Sequence, residues 1–451
     1  MKNTIIFALM LSLMAFGCKK FLDEKSDAKL AVPQSLEDLQ AILNNESSIN
    51  GVDPSAQEVC SDDYYVLDAD LNSLFLEQER RLYTWQKTNL FANTGVANEW
   101  QGLYSLVYAA NTVLENLEKI GRTPEKVREF DNIKGQALFN RARAYYNILQ
   151  VWSVGYNREI AGNAPGMVIR TSTDFNEISV RSSLQLSYDY VLSDLKAASA
   201  LLAPTTVNPV RPSKQAALGY LARVYLGMSD YKNAFLHADS CIRMKSVLLD
   251  YNTLNSSATF PIPRFNVEVI YDCGSILPQI LGNTRAKIVP LLYNSYHDND
   301  LRKQLFFRNN NNGSFGWRGN YRAGQGMFPG LAIDEQFLIR AECNARLGNR
   351  QNALDDLNSL LIKRFKTGTF KPYGLATIAD LNELIMLERR KELLMRGLRW
   401  ADLKRYNLDG ANIELLRTAN GENYSLKAND SRYALEIPQD VVLLSGIKQN
   451  P

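Results

Sequence analysis

One spacing of small, aromatic and branched residues, used twice, constrains this chain more than any other feature. Leu221, Ala222, Tyr225, Ala234 and Ala238 recur at offsets that fit two helices packed closely together. Shifted by 119 residues, Ala341, Asn344, Ala353 and Leu357 take the same places, with Gly348 at the turn between the two helices. A shift of 80 residues in the other direction brings Ala142 and Tyr145 into register, but the second helix of that unit departs from the pattern. Small side chains at these points let backbones approach, and neighbouring pairs then bury one another's apolar faces.

These are the offsets of the tetratricopeptide repeat, with Ala in place of one Gly and one Phe. The units lie too far apart for an uninterrupted solenoid, so helix pairs separated by long insertions are expected. Helical periodicity begins near Leu36. Trp100, Leu103, Val107, Ala110 and Leu114 form one apolar face, and a second helix is expected over 133–152. A third follows Ser183 and ends before Pro204. Helices resume at Ile333 and run through Arg405, and Pro438 opens a short capped turn near the end. Short strands are expected at 167–169 and 267–272. From about 250 to 330 the helical period stops, and NNNNGSFGWRGNYRAGQG occupies 309–326. A long irregular stretch inside a compact domain usually signals function or disorder.

The first residues form a secretory leader: Lys2, an apolar run over 5–16, then Gly17-Cys18. Such a run is too short to span a bilayer core of about 30 Å. Cys18 at the cleavage point reads as a bacterial lipoprotein site, although Ala15 stands where Leu is usual; the alternative is an ordinary cleaved leader. Residues 18–35 then serve as a lipidated tether. About 434 residues remain after cleavage, and with 45% hydrophobic and 22% charged residues they can fold. A net charge of +3 without a long basic run gives no footprint for nucleic acid. Cys60, Cys241, Cys273 and Cys343 are scattered, and buried free thiols fit them better than disulfides.

No catalytic constellation emerges. Glu388 and Glu392 sit four apart like a glycosidase pair, but Arg389, Arg390, Arg399 and Arg405 surround them, so a structural ion-pair network is expected. His237 and His297 lack companions at metal-ligand spacing, and neither a metal nor a cofactor is expected. A ligand surface is easier to argue, because sugar rings pack on aromatic faces while their hydroxyls need polar partners. Two segments interleave these types. One contains Arg81, Tyr83, Trp85 and Asn89; the other contains Tyr293, Tyr296, Asp298, Trp317, Arg318, Asn320 and Tyr321. Each aromatic could instead anchor a loop. Trp317 leads the candidates, as an exposed loop residue whose loss should weaken binding and barely change stability.

From CKKFLD at 18 to ERRKELLMRGLRWADLKR at 388, several segments together resemble the SusD/RagB family of Bacteroidetes outer-membrane lipoproteins. They include CKKFLD from 18, Trp100, Tyr104 and Asn111, RARAYYNILQ from 141, and AALGYLARVYL from 216. FLIRAECNARLG from 337 and ERRKELLMRGLRWADLKR from 388 complete them, the last with Arg396 where a Glu is usual. The resemblance implies an all-α, tetratricopeptide-like helical-pair scaffold with long loop insertions and minor β-hairpins. It divides the chain into a signal peptide (1–17), the tether (18–35), an N-terminal helical region (36–250), a loop-rich ligand face (251–330) and a C-terminal helical region (331–451). It further implies a surface-exposed, lipid-anchored outer-membrane protein that captures glycan for a SusC-like TonB-dependent transporter. Capture of peptide, or a protein-binding scaffold without small ligand, are the alternatives within the same fold.

Overall fold

The computed structural model describes residues 33–91, 98–324 and 326–451. The leader, the lipidation expected at Cys18 and most of the tether lie outside the described residues. Helices carry the architecture. In α1 (Leu36–Leu43) Ser35 and Asp38 form a reciprocal capping box, satisfying N–H groups that the first turn leaves unpaired. After α2 (Glu77–Tyr83), α3 (Glu99–Ile120) begins with an equivalent box from Asn98 and Gln101. It stops at Gly121, whose φ of +81° suits glycine alone among common residues. The next helix, α4 (Val127–Trp152), starts six residues before the expected 133 because Phe130 and Ile133 continue one buried stripe. α5 (Leu184–Leu201) is capped by Ser183, as the sequence suggests.

The two tetratricopeptide-like units are α6 (Lys214–Gly227) with α7 (Tyr231–Met244), and α8 (Ile333–Arg346) with α9 (Arg350–Leu361). Ala222, Ala234, Ala238, Ala341 and Ala353 are all fully buried, as close helix approach requires. Gly219 shows how close: a Cβ there would lie 3.3 Å from both Cys241 Sγ of α7 and Gln336 Cδ of α8. Although residues 245–332 separate the units in sequence, α7 packs on α8, so the two pairs are neighbours. Then come α10 (Leu381–Glu392), α11 (Arg399–Leu408) and α12 (Gln439–Ser445), the last closed by left-handed Gly446.

The strands are short: β1 (Tyr64–Tyr65), β2 (Pro165–Val168), β3 (Arg181–Ser183), β4 (Val269–Tyr271), β5 (Lys287–Ile288), β6 (Phe307–Asn309), β7 (Phe315–Trp317), β8 (Leu331–Ala332), β9 (Leu415–Ala419) and β10 (Glu422–Leu426). They form five separate antiparallel pairs: β1 with β5, β2 with β3, β4 with β8, β6 with β7, and β9 with β10. None builds a layer of its own. Each ties an insertion to the helical body, and the fold is all-α with small β-hairpins. The pairing of β4 with β8 and of β1 with β5 fastens both the ends and the middle of the 251–330 stretch. All four cysteines named above are buried and free.

Candidate functional site

Within 251–330, the hairpin β6–β7 places Phe307 opposite Trp317 and Arg308 opposite Gly316. Gly316 allows the segment around Asn283 to lie directly on the strand, since a Cβ there would fall 1.9 Å from the Asn283 carbonyl oxygen. Between these pieces lies a narrow surface cleft. Phe260, Leu277 and Met327 give it apolar walls, and Asn283, Asn320 and Arg318 supply polar edges beside Trp317. Arg318 donates to the carbonyls of Ala258 (3.0 Å), Ser256 (2.7 Å) and Gln304 (2.6 Å), so its guanidinium is fixed by backbone. Among the described residues no carboxylate lines this cleft.

The residues named from sequence divide into two groups. Trp317, Arg318 and Asn320 meet at the cleft. Trp317 is half-buried, with its ring edge-on to Phe306 at 5.0 Å, so it is not the freely exposed loop residue expected. Tyr293 stacks on Phe315 at 3.7 Å and lies half-buried at the hairpin's flank. Asp298 is exposed but bonded to Lys303 at 2.8 Å. Tyr296 and Tyr321 do not extend a platform. Both are buried, Tyr296 donating to the Lys391 carbonyl and Tyr321 donating to Glu268. The hydroxyl needs of two rings are met inside the core, which is why loop aromatics so often serve as anchors.

The other segment is an anchor as well. Tyr83 and Trp85 are buried, with the Arg417 guanidinium over their rings at 4.0 and 4.5 Å. Trp85 donates its indole N–H to the Cys60 carbonyl at 2.9 Å. Arg81 donates to the Asn89 carbonyl, and Asn89, with φ of +59°, accepts from Gln439. These bonds hold 81–89 against the C-terminal region and leave no open aromatic face.

Sequence reasoning missed a second, larger cleft of about 370 Å³. Leu76, Val52, Phe91 and Ile276 line it, with Asp440 of α12 at one edge. Two of its carboxylates are occupied: Glu79 accepts from Gln279 and Ile280 N–H groups, and Glu99 from Ser55 and Ala56. Burial raises both above the ordinary carboxylate range. Around this opening Phe75 is 88% exposed, Ile276 82%, Leu443 83% and Leu444 90%. Leu443 and Leu444 follow Asp440 by three and four residues, which puts all three on one side of α12. The signals available in sequence were the single large apolar residues Phe75 and Ile276 and the apolar run Val441–Leu444 in the tail.

Glu388 and Glu392 are wholly structural in their contacts, though their partners differ from those expected. Arg302 reaches Glu388 at 2.7 Å and Glu392 at 2.9 Å, while Arg364 bridges Glu392 and Glu268 at 2.7 Å each. Lys391 completes the set at 2.6 Å from Glu388. The nearby arginines go elsewhere: Arg389 and Arg405 to Asp402, Arg390 and Arg399 to Asp62. Sequence neighbours on a helix point in different directions, so two of the three cations that fill this site, Arg302 and Arg364, come from distant segments. Burial raises the Glu388 carboxyl, but Arg302 and Lys391 outweigh it and hold the group below its ordinary value, unsuited to a general acid. Among the described residues no group of three or more His, Cys, Asp or Glu side chains could hold a metal ion. Among the same residues no helix is long and apolar enough to cross a membrane.

Two family models match the chain. One, described as starch-binding associating with outer membrane, spans 20–226; the other, described as SusD family, spans 333–444. Two SusD-like proteins of Formosa agariphila are similar. One is 28% identical over 32% of this chain and 26% of its own length, the other 24% identical over 72% and 74%. The chain thus spans about a quarter of the first relative and three quarters of the second. A SusD superfamily protein from Bacteroides thetaiotaomicron superposes with a TM-score of 0.74 at 20% identity, covering 92% of this chain and 100% of that one. Surface glycan-binding protein A from Bacteroides fluxus gives 0.69 at 18% identity, covering 93% and 100%. With both family models, full-length structural likeness and the tetratricopeptide-like pairs in agreement, the chain belongs to the SusD/RagB family.

Proposed function

We propose that this protein is a glycan-capturing lipoprotein, tethered to the outer membrane through Cys18, which passes its ligand to a SusC-like TonB-dependent transporter. The observation that carries this reading is the Trp317 cleft, where an aromatic edge, two Asn side chains and one fixed guanidinium meet beside the β6–β7 hairpin. That mixture suits a ring with C–H faces and hydroxyl edges. The glycan-binding neighbour of the same fold supports it. The 251–330 stretch acts as the ligand face, between helical regions 36–250 and 331–451. Catalysis is not part of the reading, since the only close carboxylate pair singled out is locked by Arg302, Arg364 and Lys391.

Phe75, Ile276, Leu443 and Leu444 form the face toward the transporter, because large apolar side chains left this exposed usually mark an interaction surface. The larger cleft beside them also favours a second reading, capture of an extended peptide, since it is roomy and mainly apolar in lining. Native affinity electrophoresis of the soluble domain through gels cast with different polysaccharides separates the two. Retardation by at least one polysaccharide, without release of reducing ends, is the expected result. Retardation by none, together with saturable binding of a peptide library, would replace glycan by peptide.

A further inference from the structure

The loop between β2 and β3 holds its polar groups to the body and shows apolar ones to the outside. Phe175 is 86% exposed, Ile178 87% and Val180 68%. The Thr173 N–H and hydroxyl donate to the two oxygens of Glu115 at 2.7 and 2.6 Å. Asn111 donates to the Arg170 and Ser172 carbonyls at 3.0 and 3.1 Å. Within the loop, Ser172 donates to Glu177 and Arg170 to Ser179, while Asp174 accepts from the Asn176 N–H. Asn111 and Glu115 stand four apart on α3, so the loop is fastened to one side of that helix. Large apolar side chains exposed together on a fastened loop mark a contact surface.

What covers it follows from where the tether joins the body. Leu36, Leu39 and Leu43 of α1 pack with Ala110, Val113 and Leu117 of α3. Glu37, in the first turn of α1, lies 4.0 Å from Lys126, just past the end of α3. The tether therefore meets the body beside the C-terminal end of α3. Glu115, which fastens the loop, is five residues from that same end, about 7.5 Å along the helix axis. Cys18 precedes Pro33 by fifteen residues, a span that cannot exceed about 54 Å in any conformation. That is no more than the width of a folded body this size, with a radius of gyration of about 22 Å. A lipid on Cys18 thus keeps this end of the molecule nearest the bilayer. We propose that the 171–180 loop rests on the lipid surface to which Cys18 is anchored, with Phe175 and Ile178 entering it. This rests on the lipid-anchor reading above and adds a second contact that orients the body. Apolar side chains raise membrane affinity with the area they bury, and the bonds to Asn111 and Glu115 satisfy backbone groups that lipid could not.

The test couples the mature chain through the Cys18 thiol to a maleimide-bearing phosphatidylethanolamine in phosphatidylcholine vesicles, with or without brominated acyl chains. Coupling fixes the anchor whatever the cell does at Cys18, and Cys60, Cys241, Cys273 and Cys343 are buried. Trp85, Trp100, Trp152 and Trp400 are buried too, so a tryptophan added at the surface reports its own surroundings. Brominated chains should quench about half or more of the fluorescence that Ile178→Trp adds, as lipid contact requires. Phe75→Trp is the comparison, since Phe75 borders the larger cleft, which Glu99 lines at the opposite end of α3. Its added fluorescence should be unchanged by bromination. Equal quenching at both positions would mean general adsorption and would overturn the assignment. Absence of quenching at Ile178→Trp would also overturn it, while the natural anchor stands or falls separately with Cys18→Ser. Shielding of Ile178→Trp from iodide in native outer membranes, without quenching in vesicles, would assign the loop to a protein partner instead.

Discussion

Glu58 shows how far single side chains here depend on the fold. It is buried in the short helix Ala56–Val59, accepting from the Gly397 N–H at 2.8 Å and from Ser61. Burial first, and Asp63 second, push its carboxyl from 4.5 up to about 8. The folded protein therefore holds a proton that the unfolded chain releases across that window. Its contribution to stability is fully present below about 4.5, declines as pH rises and is lost above about 8. Melting temperatures measured across that range should fall less steeply for Glu58→Gln, which keeps the neutral shape. An unchanged slope would contradict the assignment. Arg302 makes the opposite case. Arg302→Met leaves Asp300, Glu388 and Glu392 facing one another without their shared cation, at a cost of about 3–5 kcal/mol in denaturant unfolding. A loss below about 1 kcal/mol would mean that the lattice tolerates its absence. Neither residue was legible beforehand: that Glu388 and Glu392 were structural followed from nearby arginines, but which cations meet them depends on where two loops return.

At the scale of elements, the helices were the readable part. Their caps and apolar stripes are local in sequence, so Ser183, Trp100 and the paired alanines announce them directly. Loop aromatics were not readable in the same way. Tyr83, Trp85, Tyr296 and Tyr321 have the composition of a sugar platform and the positions of core anchors, and only tertiary contacts tell these apart. The hairpin β6–β7 gives two tests. Gly316→Ala must displace the Asn283 carbonyl, so it should destabilise by about 1–3 kcal/mol and disturb the cleft. A thermal melt matching the wild type would show that the contact yields freely. Trp317→Ala should also cost about 1–3 kcal/mol, less than a fully buried Trp because the ring is half-exposed. The small stability effect expected from sequence alone is thereby revised, since Phe306 packs against the ring.

Over the whole molecule, two helix pairs far apart in sequence become neighbours, and the stretch between them is pinned by strand pairs at its ends and middle. The β6–β7 hairpin and its flanking turns sit on this fixed body, and binding proteins commonly carry ligand contacts on loops held by such a scaffold. Cys18→Ser should move the protein from the membrane to the soluble fraction of fractionated cells; unchanged membrane retention would remove the lipid anchor from the account. The central claim is that the Trp317 cleft takes glycan, and equilibrium titration of paired variants tests it most directly. With a polysaccharide that the wild type binds, Trp317→Ala should lower affinity about tenfold, some 1.4 kcal/mol. Ile276→Ser, on the rim of the larger cleft, should bind as the wild type does. Equal affinity in Trp317→Ala with a clear loss in Ile276→Ser would contradict the account and place the ligand in the larger cleft.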